Sequence, residues 1–218
     1  MIEPLLSKQD IIFDVGTNIG SVANWFASRT QHVHCFEPHP DNLRMTSEQI
    51  EIRKTKNITL SQIALGSQPG TLQLNVKSFH GHHSLIDTKI TPTIEKIDVK
   101  VDTVDRYCMT MNIEQIDFLK VDVEGFEEEV LEGAKGMLSN GKIKLVLFEH
   151  RKSILSSVGK LGKDIFTPLL ENGYTVFGLD GKILNSEELE NPPDADFLAA
   201  MNPDEFIHKL GESNAPVF

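Results

Sequence analysis

The stretch Asp10-Ile-Ile-Phe-Asp14-Val-Gly16-Thr-Asn18-Ile-Gly20 constrains this chain more than any other. The residues after Gln9 read as a short buried strand ending on the carboxylate of Asp14. A glycine-bracketed turn follows, and Ile19, Val22, Ala23 and Phe26 then fall on one helical face at offsets of three and four. Strand, tight turn and helix are what an α/β protein uses to seat a ligand at the carboxyl edge of its sheet. Gly16 is expected to let the backbone turn close to that ligand, and Gly20 to let the helix lie against the strand. The helix start is expected to offer free N–H groups to an anion.

A dinucleotide fingerprint wants three glycines in G-x-G-x-x-G, and here the middle one is Asn18. A P-loop is excluded because no Gly-Lys-Ser/Thr follows. The remaining pattern, Asp-x-Gly-x-Asn-x-Gly, resembles the first motif of class I S-adenosylmethionine methyltransferases. Two rival readings stay open. A nicotinamide-dependent oxidoreductase would reuse the same turn, although the missing glycine counts against it, and a non-catalytic S-adenosylmethionine-binding module would bind the cofactor and methylate nothing.

Further along, His32–Glu37 reads as a second strand, closed by Pro38 and Pro40, with a helix from Asp41 to about Arg53. An acid at the end of a second strand, about 20 residues past the glycine turn, is placed to grip a ribose diol, and Glu37 takes that role. Asn57–Ala64 reads as one third strand; Thr71–Val76 and Ile97–Val101 alternate like antiparallel strands. Between them Lys77–Glu95 is polar and aperiodic, the pattern of a mobile lid over the acceptor, with His82, His83 and Ser84 as its acceptor-facing residues. Those histidines lack spaced partners, so no metal site is expected.

A short helix or turn over Val101–Met109 precedes the apolar strand Ile116–Asp122 and the motif Asp122-Val-Glu124-Gly125-Phe126. One helix is expected from Glu127 onward, burying Val130, Leu131, Ala134 and Leu138. Lys144–His150 reads as the next buried strand, Ile165, Leu169 and Leu170 as a helix stopped at Gly173, and Tyr174–Gly178 and Asp196–Met201 as the last strands. The alternation predicts one doubly wound α/β domain over residues 1–218, with an insertion at about 70–101. Strand-end acids at Asp14, Glu37, Asp122 and Glu149 would then share one edge of the sheet. Asp122 and Glu124 are expected on a common side of an extended segment, with repulsion raising one pKa so that it serves as a base.

Composition adds exclusions. A formal charge of -11 leaves no basic stripe to displace counterions from nucleic acid or anionic lipid. No run suits a membrane span and Met1–Gln9 lacks a signal pattern, so a cytoplasmic protein is expected. Cys35 and Cys108 form no disulfide framework and no metal-ligand spacing.

With the motifs placed, the chain resembles the FkbM family of S-adenosylmethionine-dependent methyltransferases. The resemblance runs through Phe13–Gly20, Phe36-Glu-Pro-His-Pro40, Ala64-Leu-Gly66, Val101-Asp-Thr-Val104 and Phe118-Leu-Lys-Val-Asp-Val-Glu-Gly-Phe-Glu127. It implies a Rossmann-like, mostly parallel seven-stranded sheet and O-methylation of a sugar, polysaccharide or other small natural product. Carried over, Asp14, Gly16, Thr17, Asn18 and Gly20 hold the methionine half of S-adenosylmethionine, and Glu37 and Pro38 the ribose; of the neighbouring acids Asp122 and Glu124, one, taken as Asp122, is expected to orient the cofactor while the other meets the acceptor. Ala64 stands where many such enzymes place an acid for adenine, which leaves adenine to backbone groups and packing. Asp122, Glu124 and His150 are the candidate catalytic groups, with Glu149 beside the acceptor. The helix that usually precedes the first strand is nearly absent, so the His82–Ser84 loop or a second subunit of a homodimer is expected to cover the acceptor.

Overall fold

A computed structural model describes residues 2–88 and 90–212. Its first strand, β1 (Ile11–Val15), is buried on both faces, and the next helix, α1 (Ala23–Ala27), is shorter than the periodicity predicts. Asn18 and Gly20 adopt left-handed backbone, at φ 53° and 78°, so the chain cannot coil as an α-helix until after Val22. A turn therefore faces the cleft, where a helix N-terminus was expected. Gly20 packs against Thr46, which a Cβ at Gly20 would meet at 2.7 Å.

β2 (His32–Phe36), α2 (Pro40–Arg53) and β3 (Ile58–Ser61) follow. The expected single strand over Asn57–Ala64 breaks here, because β4 (Ala64–Leu65) leaves to join β5 (Gly70–Lys77) and β6 (Thr93–Asp102) in a separate three-stranded sheet. α3 (Val104–Met111) starts at Thr103, whose hydroxyl accepts from the Arg106 amide at 3.1 Å. β7 (Ile116–Val121) then enters the main sheet.

The helix expected from Glu127 is two helices, α4 (Glu127–Glu132) and α5 (Lys135–Ser139). The Asp105 carboxylate accepts from the amides of Gly136 and Met137, at 2.6 and 2.9 Å, and restarts the helix there. Val130, Leu131, Ala134 and Leu138 are all fully buried, as the spacing requires. β8 (Ile143–His150), α6 (Lys152–Ser157), α7 (Thr167–Leu170), β9 (Thr175–Gly178), α8 (Ser186–Glu190), β10 (Ala195–Ala200) and α9 (Pro203–Glu212) complete the order. Leu170 remains exposed, and a 3-10 turn at Gly162–Phe166 supplies the buried contacts ahead of α7.

The main sheet runs β3-β2-β1-β7-β8-β10-β9, all parallel except β10, which is antiparallel to β8 and β9. One core, including Phe13, Leu119, Val146 and Phe148, lies on one face; a second, including Ile12, Phe26, Phe118 and Leu198, lies on the other. The direction of winding reverses between β1 and β7, and the carboxyl ends of those strands open a crevice. Among the described residues no helix is long and apolar enough to cross a membrane.

Candidate active site

The crevice is a cleft over the carboxyl ends of β1, β2, β7 and β8, floored by Gly16 and walled on one side by Glu37. Gly16, at φ 79°, runs so close to the end of β7 that a Cβ would collide with the carbonyl of Asp122. The Asp122 amide in turn donates to the Val15 carbonyl at 3.1 Å. The two motifs are thus pressed together, and only glycine fits the contact.

Glu37 is buried and rigidly held. Its Oε2 accepts from the Asn18 amide and its Oε1 from the His39 amide, both at 2.8 Å. Burial pushes its pKa up to about 7, against those amide contacts. The Asn42 side chain donates to the same carboxylate, which leaves room for one further donor from the cleft. Pro38 lies beside Glu37, and Ala64, Leu65 and Phe126 form an apolar wall without a side-chain acid. The Asn18 Oδ1 is buried and takes no hydrogen bond among the described residues, an acceptor suited to an ammonium or hydroxyl of a ligand.

Asp14 does not reach the cleft. It is 1% exposed beneath the floor, with Lys120 Nζ 3.1 Å from its Oδ1, and the same ammonium lies 3.4 Å from Asp122 Oδ2. Burial works to lower the Lys120 pKa, but Asp14 and Asp122 outweigh it and hold the lysine above its ordinary value. Thr17 and Gly20 also serve the turn: the Thr17 hydroxyl donates to the Asp14 carbonyl at 2.8 Å, and the Gly20 amide to the Thr17 carbonyl at 3.0 Å.

Asp122, Glu124 and Glu149 line the other end, with oxygens within 4.8 Å of one another. They converge for a reason the extended-strand expectation missed. Glu124 is left-handed, at φ 56°, so a tight turn, with no strand-like alternation, brings its side chain beside Asp122. Burial, then the charge of Asp122, raises the Glu124 pKa to about 7. Glu149 is raised to about 8 by burial and Asp122, opposed by Arg151, whose guanidinium stands 2.6 Å away. Such crowding favours a cationic partner or a shared proton.

His83 and Ser84 face the cleft, whereas His82 meets Phe79 edge to face and approaches Thr91 at 3.3 Å. His150 also stays out. It is fully buried, its Nδ1 lies 2.8 Å from the Pro193 carbonyl, and Gly162 packs on its Nε2. Burial lowers its pKa, leaving a neutral packed imidazole. In the expected lid Lys77 is fully buried and its ammonium donates to the Thr91 carbonyl and the Thr93 hydroxyl, at 2.9 and 2.7 Å, which folds the segment back on itself. Lys89, within that stretch, lies outside the described residues.

Two site residues were missed. Lys120 carried a signal, being a charge between Leu119 and Val121 of a mostly apolar strand, one that must find a partner when buried. Glu127, expected only as the start of a helix, is 3% exposed and its Oε1 accepts from the Val123 and Gly125 amides, at 3.0 and 3.1 Å.

The raised acids make stability depend on pH. Glu37, Glu124 and Glu127 sit near 7 and Glu149 near 8, against about 4.5 for an unfolded glutamate. Between those values the folded state binds more protons, so stability falls as pH rises. The melting temperature should therefore drop by several degrees from pH 5.5 to 8.5, and Glu149→Gln should flatten the slope. A melting temperature that rises over this range would contradict the arrangement.

Sheet order, glycine turn and acid-lined cleft are those of the class I methyltransferase α/β fold. The sequence matches the methyltransferase FkbM domain over residues 14–176, and the chain belongs to that family. S-adenosylmethionine is accordingly its cofactor. The chain is similar to the hexuronic acid methyltransferase AglP of Haloferax volcanii, 28% identical over 141 residues, or 64% of this chain and 56% of AglP. It is similar also to the 2-O-methyltransferase NoeI of Sinorhizobium fredii, 26% identical over 68% of this chain and 67% of NoeI. The crystal structure of methyltransferase FkbM from Methylobacillus flagellatus shares the fold, with TM-score 0.56 and 16% identity over 88% of this chain and 44% of that one. The chain thus spans just over half the length of AglP and about two thirds of NoeI.

Proposed function

We propose that this chain methylates a hydroxyl of a sugar or other small glycan-like acceptor, with Glu124 as the base. One observation supports this reading above the rest: the glycine turn, Glu37 and the Asp122–Glu124–Glu149 set share a single cleft. AglP and NoeI, named for a hexuronic acid and for 2-O-methylation, point the same way. Asn18, Glu37 and the apolar wall would hold the cofactor, and the acidic end suits its positive sulfonium. When bound, S-adenosylmethionine supplies an electrophilic methyl group, so the protein's main task is in-line positioning of the acceptor oxygen. Glu124, with a pKa near the working pH, takes the hydroxyl proton; burial, Asp122 and Glu127 keep that pKa high. Residues 1–218 act as one domain in this reading, with the segment about 70–101 covering the acceptor side. The acceptor is a cytoplasmic small molecule or glycan, and the charge of -11 weighs against nucleic acid or an anionic membrane as partner.

Transfer of label from methyl-labelled S-adenosylmethionine to methyl hexopyranosides and hexuronides tests the reaction. Binding of NAD(H) in place of S-adenosylmethionine, or cofactor binding with every acceptor left unlabelled, would overturn it. Glu37→Ala tests the cofactor end. It removes the diol acceptor and leaves the Asn18 and His39 amides without their carboxylate, so affinity for S-adenosylmethionine should weaken on the order of 10–100-fold by calorimetry. Unchanged affinity would refute the ribose assignment.

A further inference from the structure

Glu124 holds a backbone conformation that glutamate rarely adopts, and something must enforce it. From its own side, Glu127 fixes the flanking amides of Val123 and Gly125. From the far side comes Ser84, 40 positions away in sequence and 1% exposed, whose hydroxyl donates to the Glu124 carbonyl at 2.8 Å. Ser84 is itself fixed. It exchanges backbone hydrogen bonds with Asn75, at 2.8 and 3.3 Å, and its Oγ accepts from the Ile86 amide at 3.1 Å. Ile86 presses on the same turn, since a Cβ at Gly125, φ 98°, would meet Ile86 Cδ1 at 2.7 Å. The one proton of the Ser84 hydroxyl is committed to Glu124, so none remains to donate to an acceptor.

We propose that Ser84 is a positioning residue: by holding the Glu124 carbonyl it keeps that residue left-handed and its carboxylate beside Asp122 and Glu149. The segment between β5 and β6 thereby reaches into the reaction through backbone, without touching the acceptor through this hydroxyl. The inference rests on Glu124 acting as the base only for its kinetic consequence. Its structural content stands on the hydrogen bonds alone. The charged groups that bear on Glu124 are Asp122, Glu127 and Arg151, together with Glu149 across the cleft. If the turn relaxes, the distances to these groups change together.

The test uses Ser84→Ala, Ser84→Thr and Glu124→Gln in the full chain. Carbon-13 labelling of glutamate carboxyls identifies the Glu124 resonance as the one lost in Glu124→Gln. In Ser84→Ala that resonance should titrate about one pH unit or more below its position in the parent, as its contact with the other acids loosens. Ser84→Thr, which keeps the hydroxyl, should restore it. Single-turnover transfer to methyl hexopyranosides should slow about tenfold or more in Ser84→Ala with little change in acceptor KM, because misplacement acts on the step and leaves binding alone. On a Glu124→Gln background Ser84→Ala should cost nothing further. A folded Ser84→Ala protein with parental titration and rate overturns the proposal, as does a raised acceptor KM at unchanged rate, which would make Ser84 a substrate contact. Normal transfer by Glu124→Gln would overturn the base reading instead, and the titration would still decide the role of Ser84.

Discussion

Glu124→Gln is expected to slow methyl transfer by roughly 10²-fold or more while melting no lower than the parent at pH 8. The substitution is nearly isosteric and removes a carboxylate that crowds Asp122 and Glu149, so it relieves repulsion where the parent is least comfortable. Asp122→Asn should also slow transfer, but with a stability cost, because Asp122 meets the Lys120 ammonium at 3.4 Å. In the parent the rate should rise with pH and level off above about 7, where Glu124 has lost its proton. Since three acids share the site, that midpoint belongs to the set. Single-turnover transfer against pH, with a melting curve on the same preparations, checks all of this. A Glu124→Gln protein that transfers at the parental rate would leave catalysis to positioning alone.

The largest effect on stability should come from Lys120→Met. Asp14 lies within β1, opposite Lys120 of β7 in the sheet register, and no hydrogen bond reaches its carboxylate among the described residues. Its charge is met by the Lys120 ammonium at 3.1 Å. Removing that partner leaves a carboxylate in the core and should cost about 3–5 kcal/mol, less whatever Asp14 recovers by taking a proton. Urea unfolding reads the loss directly. Adding Asp14→Asn to Lys120→Met should return much of it, because the buried charge is then gone. Equal stability of Lys120→Met and parent would mean that the pair is not the pin between the two motifs.

Much of the architecture was legible because burial writes itself into spacing. Strands β1, β2, β7 and β8 read as near-continuous apolar runs, as strands covered on both faces must. The face Val130–Leu138 was right even where the helix itself was broken. Failures occurred where long-range contacts override local pattern. Asp105, on α3, restarts the chain at Gly136, and no window around residue 133 contains that information. The start of α1 moved because Asn18 and Gly20 took left-handed backbone, which spacing alone does not encode. At the site, the type of residue was readable and its direction was not. The acids at Asp14 and Asp122 look alike as strand-end acids, yet one lies under the floor and the other lines the cleft. His150 follows Glu149 directly, and strand alternation sends it away from the cleft into a packed pocket.

The antiparallel strand β10 has a consequence for how much of the chain is needed. The family match ends at residue 176, and every described residue lining the cleft lies before that point. β10, however, supplies the partner of both β8 and β9. A chain ended at 176 would keep all its chemistry but leave β8, which carries Glu149, as a bare apolar edge open to other chains. The boundary at which the sequence is recognisable thus differs from the boundary at which the sheet closes. Residues 177–212 are to be counted as scaffold for Glu149, though none of them lines the cleft.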